Sequence, residues 1–222
     1  MTAVKTCGMF RPQDIVAVNA VRPDYVGFVF ASSPRQVTRE QAITLRNALD
    51  RGITPVGVFV NAEPEMVASL VNERVIDVAQ LHGDENETYI AQLRSQLKRG
   101  KIMQVFRIPS HPQLSAELVA SAKNSNADLI MFDRYHPDSY GGSGEVFDWS
   151  VLDGADRDFF LAGGLDVGNV AEAIDRLHPA AVDVSSALET DGVKDPDKIR
   201  LFVAAVRAAD RQGRGSDHDR KR

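Results

Sequence analysis

The sequence predicts a single-domain α/β protein, a closed (β/α)8 barrel of the TIM type. Three observations lead there. Short β-branched and aromatic runs alternate with segments of helical periodicity along the whole chain. Eight such runs can be counted, and segments long enough for a helix separate them, which implies parallel pairing through crossovers. The 222 residues suit one small barrel of roughly 200 to 250. An open doubly wound sheet could be built from the same units, but the strand count and the compact length favour closure.

The expected strands, in order, are Val4–Cys7, Tyr25–Phe30, Val56–Val60, Val78–Leu81, Ile102–Phe106, Leu129–Phe132, Phe160–Ala162 and Ala181–Val184. In Thr38–Arg51, Ala42, Leu45, Ala48 and Leu49 share one helical stripe, with Gly52 at the position of a helix C-terminus. Pro64 suits the first turn of a helix through Glu65–Glu73, because a proline there sacrifices no intrahelical hydrogen bond. Asp166–Leu177 and Pro196–Arg207 read as further helices. The barrel domain is expected to occupy residues 1–210. Residues 211–222 (RQGRGSDHDRKR) are polar and interrupted by glycine, and are expected to form a disordered tail.

Composition narrows the function. Apolar residues make up 43% and charged residues 26%, values that support a real core. The net charge of −5 comes without a basic face, so nonspecific binding to nucleic acid is not expected; a local phosphate site remains open. The single cysteine, Cys7, rules out an intramolecular disulfide and any multi-cysteine metal site. No apolar stretch approaches the ~18 residues of a membrane span, and the first residues lack a signal-peptide core. A cytoplasmic protein with no membrane partner is expected, either monomer or homodimer, taking a small-molecule substrate and needing neither cofactor nor metal.

Barrel enzymes place their chemistry at the C-terminal ends of strands and in the loops that follow. The polar punctuation here falls at those points. Strand 1 ends in Cys7-Gly8, strand 2 leads to Ser32-Ser33-Pro34-Arg35, and strand 4 runs into His82-Gly83. Strand 6 is followed by Asp133 and then Tyr140-Gly141-Gly142-Ser143-Gly144; strand 7 leads to Gly163-Gly164, and strand 8 to Ser185-Ser186. Glycine lets a backbone approach an anion closely, and a following helix N-terminus adds aligned N–H groups. Gly163-Gly164 and Ser185-Ser186 therefore read as a phosphate site between the loops after strands 7 and 8, a common barrel arrangement. Gly141, Gly142, Ser143 and Gly144 read as a covering loop that lends further N–H groups.

KTCG, GFVF followed by SPR, VGVFVN, QLHG, FDRYHPDSYGGSGEVFDW, AGGL and AVDVSSALE, in this order, resemble the phosphoribosylanthranilate isomerase family over nearly the whole chain. That resemblance implies an Amadori rearrangement in tryptophan biosynthesis: N-(5-phosphoribosyl)anthranilate becomes 1-(2-carboxyphenylamino)-1-deoxyribulose 5-phosphate, without metal or cofactor. It assigns Asp133 as the general acid that opens the furanose and Cys7 as the base that removes the C2 proton. It assigns Arg35 to the anthranilate carboxylate, a role its forked donors suit. His82 either touches substrate or orients the barrel mouth. Asp183 either meets the substrate amine or holds a neighbouring cation.

Blander readings stand beside these roles. A lone cysteine is often a small buried hydrophobe, a strand-end aspartate often caps a loop, and Arg35 could be merely solvated. The strand-end placement of Cys7 and the loop after Asp133 favour catalysis. A related dual-substrate isomerase resembles a two-aspartate machine, so Cys7 argues against it. A phosphate-binding barrel without catalysis is the remaining alternative. Two departures from the family pattern bear on loop shape: Ala187 stands where glycine is common, and Met9-Phe10 follow Cys7-Gly8. Alanine at 187 would be strained at positive φ but fits a helical turn.

Strand alternation adds a reading independent of the resemblance. Lys5 and Cys7 point to the same side, so an inward Cys7 sets Lys5 one layer beneath it. A buried ammonium needs a partner, and an inward Asp183 is the candidate. Such a cation favours a thiolate, and catalysis by Cys7 calls for a lowered thiol pKa.

Overall fold

The computed structural model describes residues 1–135 and 147–219, with side chains through residue 212. Its core is a closed parallel barrel of eight strands: β1 (Ala3–Cys7), β2 (Tyr25–Val29), β3 (Thr54–Phe59), β4 (Val78–Leu81), β5 (Lys101–Ile108), β6 (Leu129–Arg134), β7 (Phe160–Leu161) and β8 (Ala181–Val184). Closure comes from β1 pairing with β8, in a register that sets Lys5 opposite Asp183. Among the described residues, seven α-helices surround it: α1 (Pro12–Val21), α2 (Arg39–Ala48), α3 (Pro64–Asn72), α4 (Glu87–Gln96), α5 (Pro112–Ala122), α6 (Val170–Leu177) and α7 (Pro196–Asp219). Between β6 and β7 the described connection is a 3-10 turn, Trp149–Leu152. A two-stranded hairpin, β9 (Glu189–Thr190) with β10 (Val193–Lys194), follows β8.

Alternation divides each strand between two cores. Val56, Val78, Met103, Val105, Met131 and Phe160 fill the barrel interior as one cluster. The outward residues of the same strands, among them Val4, Val26, Phe28, Phe132 and Val182, pack under the helices. Both faces are dry, which is why these strands read as nearly continuous apolar runs. The inward row of β1 carries Lys5 and Cys7 above Ala3, and that of β4 carries Gln80 and then His82 above Val78. Polar groups therefore replace aliphatic ones toward the C-terminal end of the barrel.

Local signals explain most helix starts. Thr38 caps α2 by accepting from Gln41 N while the Gln41 side chain accepts from Thr38 N, a reciprocal capping box. Asn86 caps α4 through Tyr89 N, and prolines begin α1, α3 and α5. Two expectations for α2 are corrected. It ends at Ala48 with Leu49 extended, so Gly52 lies beyond it in a turn, and Ala48 faces solvent while Ala42, Leu45 and Leu49 are buried. The stripe is narrower than the periodicity suggested because the chain leaves the helix before completing another turn.

Helix α7 seals the ring against the N-terminus. Ile199, Phe202 and Val206 are buried, Thr2 donates to Asp210, and Arg207 donates to Thr2 O and Asp24. The helical backbone continues to Asp219, across much of the segment expected to be a disordered tail. Extending an existing helix adds one hydrogen bond per residue without a new nucleus, so the polar segment follows the docked turns before it. No helix among the described residues is long and apolar enough to cross a membrane.

Candidate active site

A cavity of about 510 Å³ opens at the C-terminal end of the barrel. Cys7, Arg35, His82, Asp133, Asp183, Gly163, Gly164, Ser185 and Ser186, all singled out from the sequence, line it. Gly141, Gly142, Ser143 and Gly144 lie outside the described residues.

On the β1–β8 side, Lys5 Nζ lies 3.0 Å from Asp183 Oδ1, with the Lys5 side chain fully buried. Burial by itself would lower the lysine pKa, but Asp183 and Cys7 outweigh it and hold the ammonium above its ordinary range. The inward lysine and its partner are thus where strand alternation put them. The thiol departs from expectation. Burial dominates and pushes Cys7 up, while Lys5 and Lys194 pull it down and Asp183 opposes them. The lysine acts in the expected direction, yet desolvation of the sulfur is the larger effect, so the free site holds a thiol.

On the opposite rim, Asp133 is buried at the end of β6 and accepts from Arg134 N at 2.7 Å. His82 Nε2 stands 3.0 Å from Asp133 Oδ2, within ion-pair range but not aligned as a hydrogen bond. Its Nδ1 meets Gln80 Nε2 at 3.2 Å. Next to them, Gly163 has φ +87°, and a Cβ there would lie 2.7 Å from Arg134 N and 3.0 Å from Asp133 Oδ1. Both backbone sign and space require glycine at this point.

Gly163-Gly164, both at positive φ, and Ser185-Ser186 line the cavity after β7 and β8. Helix α6 begins at Val170, four residues later than expected at Asp166. The Asp166 carboxylate accepts from Gly168 N and Asn169 N, so a turn bound by its own side chain replaces the first helical turn. After β8, the chain enters a 3-10 turn, Ser186–Leu188, with no positive φ at Ala187. Alanine fits there without strain. Met9 is fully buried and Phe10 packs partly against the same core, so the loop beside Cys7 is anchored by apolar side chains.

Arg35 carries a contact the sequence did not announce. Glu189 accepts from its Nε at 2.5 Å and its Nη2 at 2.8 Å. Lys194 Nζ, fully buried, reaches the same carboxylate at 2.6 Å and Ser185 O at 2.8 Å. Burial would raise Glu189, but the two cations outweigh it and hold it below the ordinary glutamate range; burial lowers Lys194. Asp191 and Gly192, at φ +51° and +77°, turn the hairpin that brings Lys194 back to Glu189. That Asp-Gly pair is a strong short-range hairpin signal, and it could have revealed this cluster. Among the described residues, no group of three or more His, Cys, Asp or Glu is placed to hold a metal ion.

The family model for N-(5'phosphoribosyl)anthranilate (PRA) isomerase matches residues 4–205. An N-(5'-phosphoribosyl)anthranilate isomerase from Endomicrobium trichonymphae is 40% identical, with 94% of this chain and all of that one (100%) covered. The crystal structure of phosphoribosyl anthranilate isomerase from Thermotoga maritima superposes with a TM-score of 0.81 at 30% identity, covering 94% of this chain and 100% of that one. A further structure, of such an isomerase in complex with reduced 1-(o-carboxyphenylamino)-1-deoxyribulose 5-phosphate, has a TM-score of 0.77 at 29% identity, covering 94% and 100%. A closed eight-stranded barrel with its polar groups at this rim, matched over nearly its whole length, means that the chain belongs to the phosphoribosylanthranilate isomerase family.

Proposed function

We propose that this site converts N-(5-phosphoribosyl)anthranilate to 1-(2-carboxyphenylamino)-1-deoxyribulose 5-phosphate, with Asp133 as acid and Cys7 as base. The observation that carries the reading is the meeting of Cys7, Asp133 and the Gly163-Gly164 and Ser185-Ser186 loops around one cavity. Asp133 delivers a proton to the furanose ring oxygen as its bond to C1 breaks, and the amine nitrogen lone pair forms the Schiff base. Cys7 then takes the C2 proton, and the electron pair left behind moves into the imine to give an enolamine. Loss of the enol proton and protonation at C1 complete the ketose.

The Lys5 and Lys194 cations pull Cys7 toward the thiolate that these steps demand, against the larger effect of burial. Burial keeps Cys7 neutral in the free site, so its thiolate depends on the Lys5 and Lys194 ammonium groups during turnover. The substrate phosphate takes the backbone donors of the loops after β7 and β8, with Gly141, Gly142, Ser143 and Gly144 contributing from the loop after β6. Arg35 binds the anthranilate carboxylate. Glu189 accepts from Nε and Nη2, which leaves Nη1 for the ligand and orients the fork toward it. Asp183 serves chiefly as the counter-charge of Lys5.

Loss of substrate fluorescence on turnover by the purified protein tests the reading. Cys7→Ser and Asp133→Asn should each lower kcat by at least ~10²-fold, the lower range for a positioned acid or base. Affinity for the reduced product analogue should stay within a few-fold. A variant that retained most of its turnover would show its residue to be structural.

A further inference from the structure

Gln80 has no part in the chemistry just described, yet it is fully buried and lines the cavity. Its Nε2 lies 3.2 Å from His82 Nδ1 and 3.6 Å from Met131 Sδ, while its Oε1 has no hydrogen-bond partner. His82 Nε2 in turn stands 3.0 Å from Asp133 Oδ2, close enough to hydrogen-bond once the two groups align, though they are not aligned as the site stands. A neutral imidazole carries one proton, so whatever occupies Nδ1 decides what Nε2 offers. With the Gln80 amide donating to Nδ1, the proton sits on Nε2 and faces Asp133, which suits a carboxylate. With the amide turned by half a revolution, Oε1 accepts from Nδ1–H and Nε2 is bare, which suits a protonated Asp133. The turn would also give the partnerless Oε1 a donor.

We infer that Gln80 is a positioning residue for the acid: its buried amide sets which nitrogen of His82 carries the proton, and so lets Asp133 hold its own. This rests on the reading of Asp133 as the acid. The inference follows from three buried groups in a row, Gln80, His82 and Asp133, of which the middle one has two tautomers and the first has two matching orientations. Arg107, beside Asp133 in the β5–β6 register, is paired with Asp84, and Arg134 meets Asp133 through its backbone N–H.

Two measurements on the full-length protein test this. Gln80→Met preserves length and bulk but removes both donor and acceptor. Its kcat should fall by about 10- to 100-fold, part of what a positioned acid contributes. KM and affinity for the reduced product analogue should stay within about threefold, because Gln80 holds no part of the substrate. Imidazole 15N resonances, with His82 assigned by its loss in His82→Gln, read the tautomer directly. Asp133→Asn imitates the neutral acid and should move His82 to the Nδ1–H form. Adding Gln80→Met to Asp133→Asn should return it to Nε2–H. Identical His82 tautomers in these two proteins, or a Gln80→Met variant with parental kcat, would overturn the inference. If Asp133 is not the acid, Asp133→Asn stays active while the tautomer readout still reports on Gln80, so the two failures are distinct.

Discussion

Replacing Lys5 with methionine is the sharpest test of how the barrel interior is held together. The substitution keeps an unbranched side chain in a fully buried position but removes the ammonium 3.0 Å from Asp183. Asp183 is itself buried and would be left without its cation. Breaking one side of such a pair costs about 3–5 kcal/mol, because the remaining charge is stranded. For a chain of this size that corresponds to a fall in melting temperature of roughly 6–20 °C. The pair raises the lysine above its ordinary value of 10.5, so its stabilisation is fully present below that value and is lost only as pH rises through the higher folded one. The difference between parent and variant should therefore be flat between about pH 6 and 9. The double change Lys5→Met with Asp183→Leu should recover most of the loss, since an apolar pair strands no charge. Cys7 provides a second readout. Burial already holds its thiol up and Lys5 opposes this, so alkylation by iodoacetamide at a fixed pH should slow further in Lys5→Met. A melting temperature within about 2 °C of the parent, less than 1 kcal/mol at this size, would refute the reasoning.

Arg35→Ala should raise KM by roughly 10- to 100-fold, from the 1.5–3 kcal/mol of a lost charge-assisted hydrogen bond, with a smaller effect on kcat; an unchanged KM would place the anthranilate carboxylate elsewhere. Gly163→Ala forces a side chain into positive φ and 3.0 Å from Asp133 Oδ1, so it should cost about 1–3 kcal/mol and lower kcat together with melting temperature; a stable, fully active variant would show that the loop rearranges freely. Removing residues 212–222 should leave melting temperature and turnover unchanged, because the sequence of that segment offers no apolar face to dock; a marked loss of stability would mean the segment packs on the barrel.

What was legible in the sequence was what depends on near neighbours in the chain. Period-two alternation placed Lys5 beneath Cys7, because residues two apart on a strand share a face whatever surrounds them. Strand ends could be located from runs such as VAQLHG and LIMFDR, and barrel architecture gathers such ends at one rim, so Cys7, His82, Asp133 and Asp183 fall together. The local signals that failed did so through competition. Asp166 bound Gly168 and Asn169 and delayed α6, and the chain left α2 before Gly52 could terminate it. The docked α7 carried helical backbone through a segment whose composition favours disorder. Tertiary structure alone decided the rest. Glu189 meets Arg35 across 154 residues of chain, and Gln80 meets Met131 across 51. The direction of the Cys7 shift was likewise undecided by its neighbours in sequence. Lys5 was readable as a cation, but the larger opposing effect is desolvation, which comes from everything the folded barrel packs around the sulfur. Alternation and turn chemistry are properties of a few consecutive residues, whereas burial and pairing belong to whichever groups the fold brings to the same place.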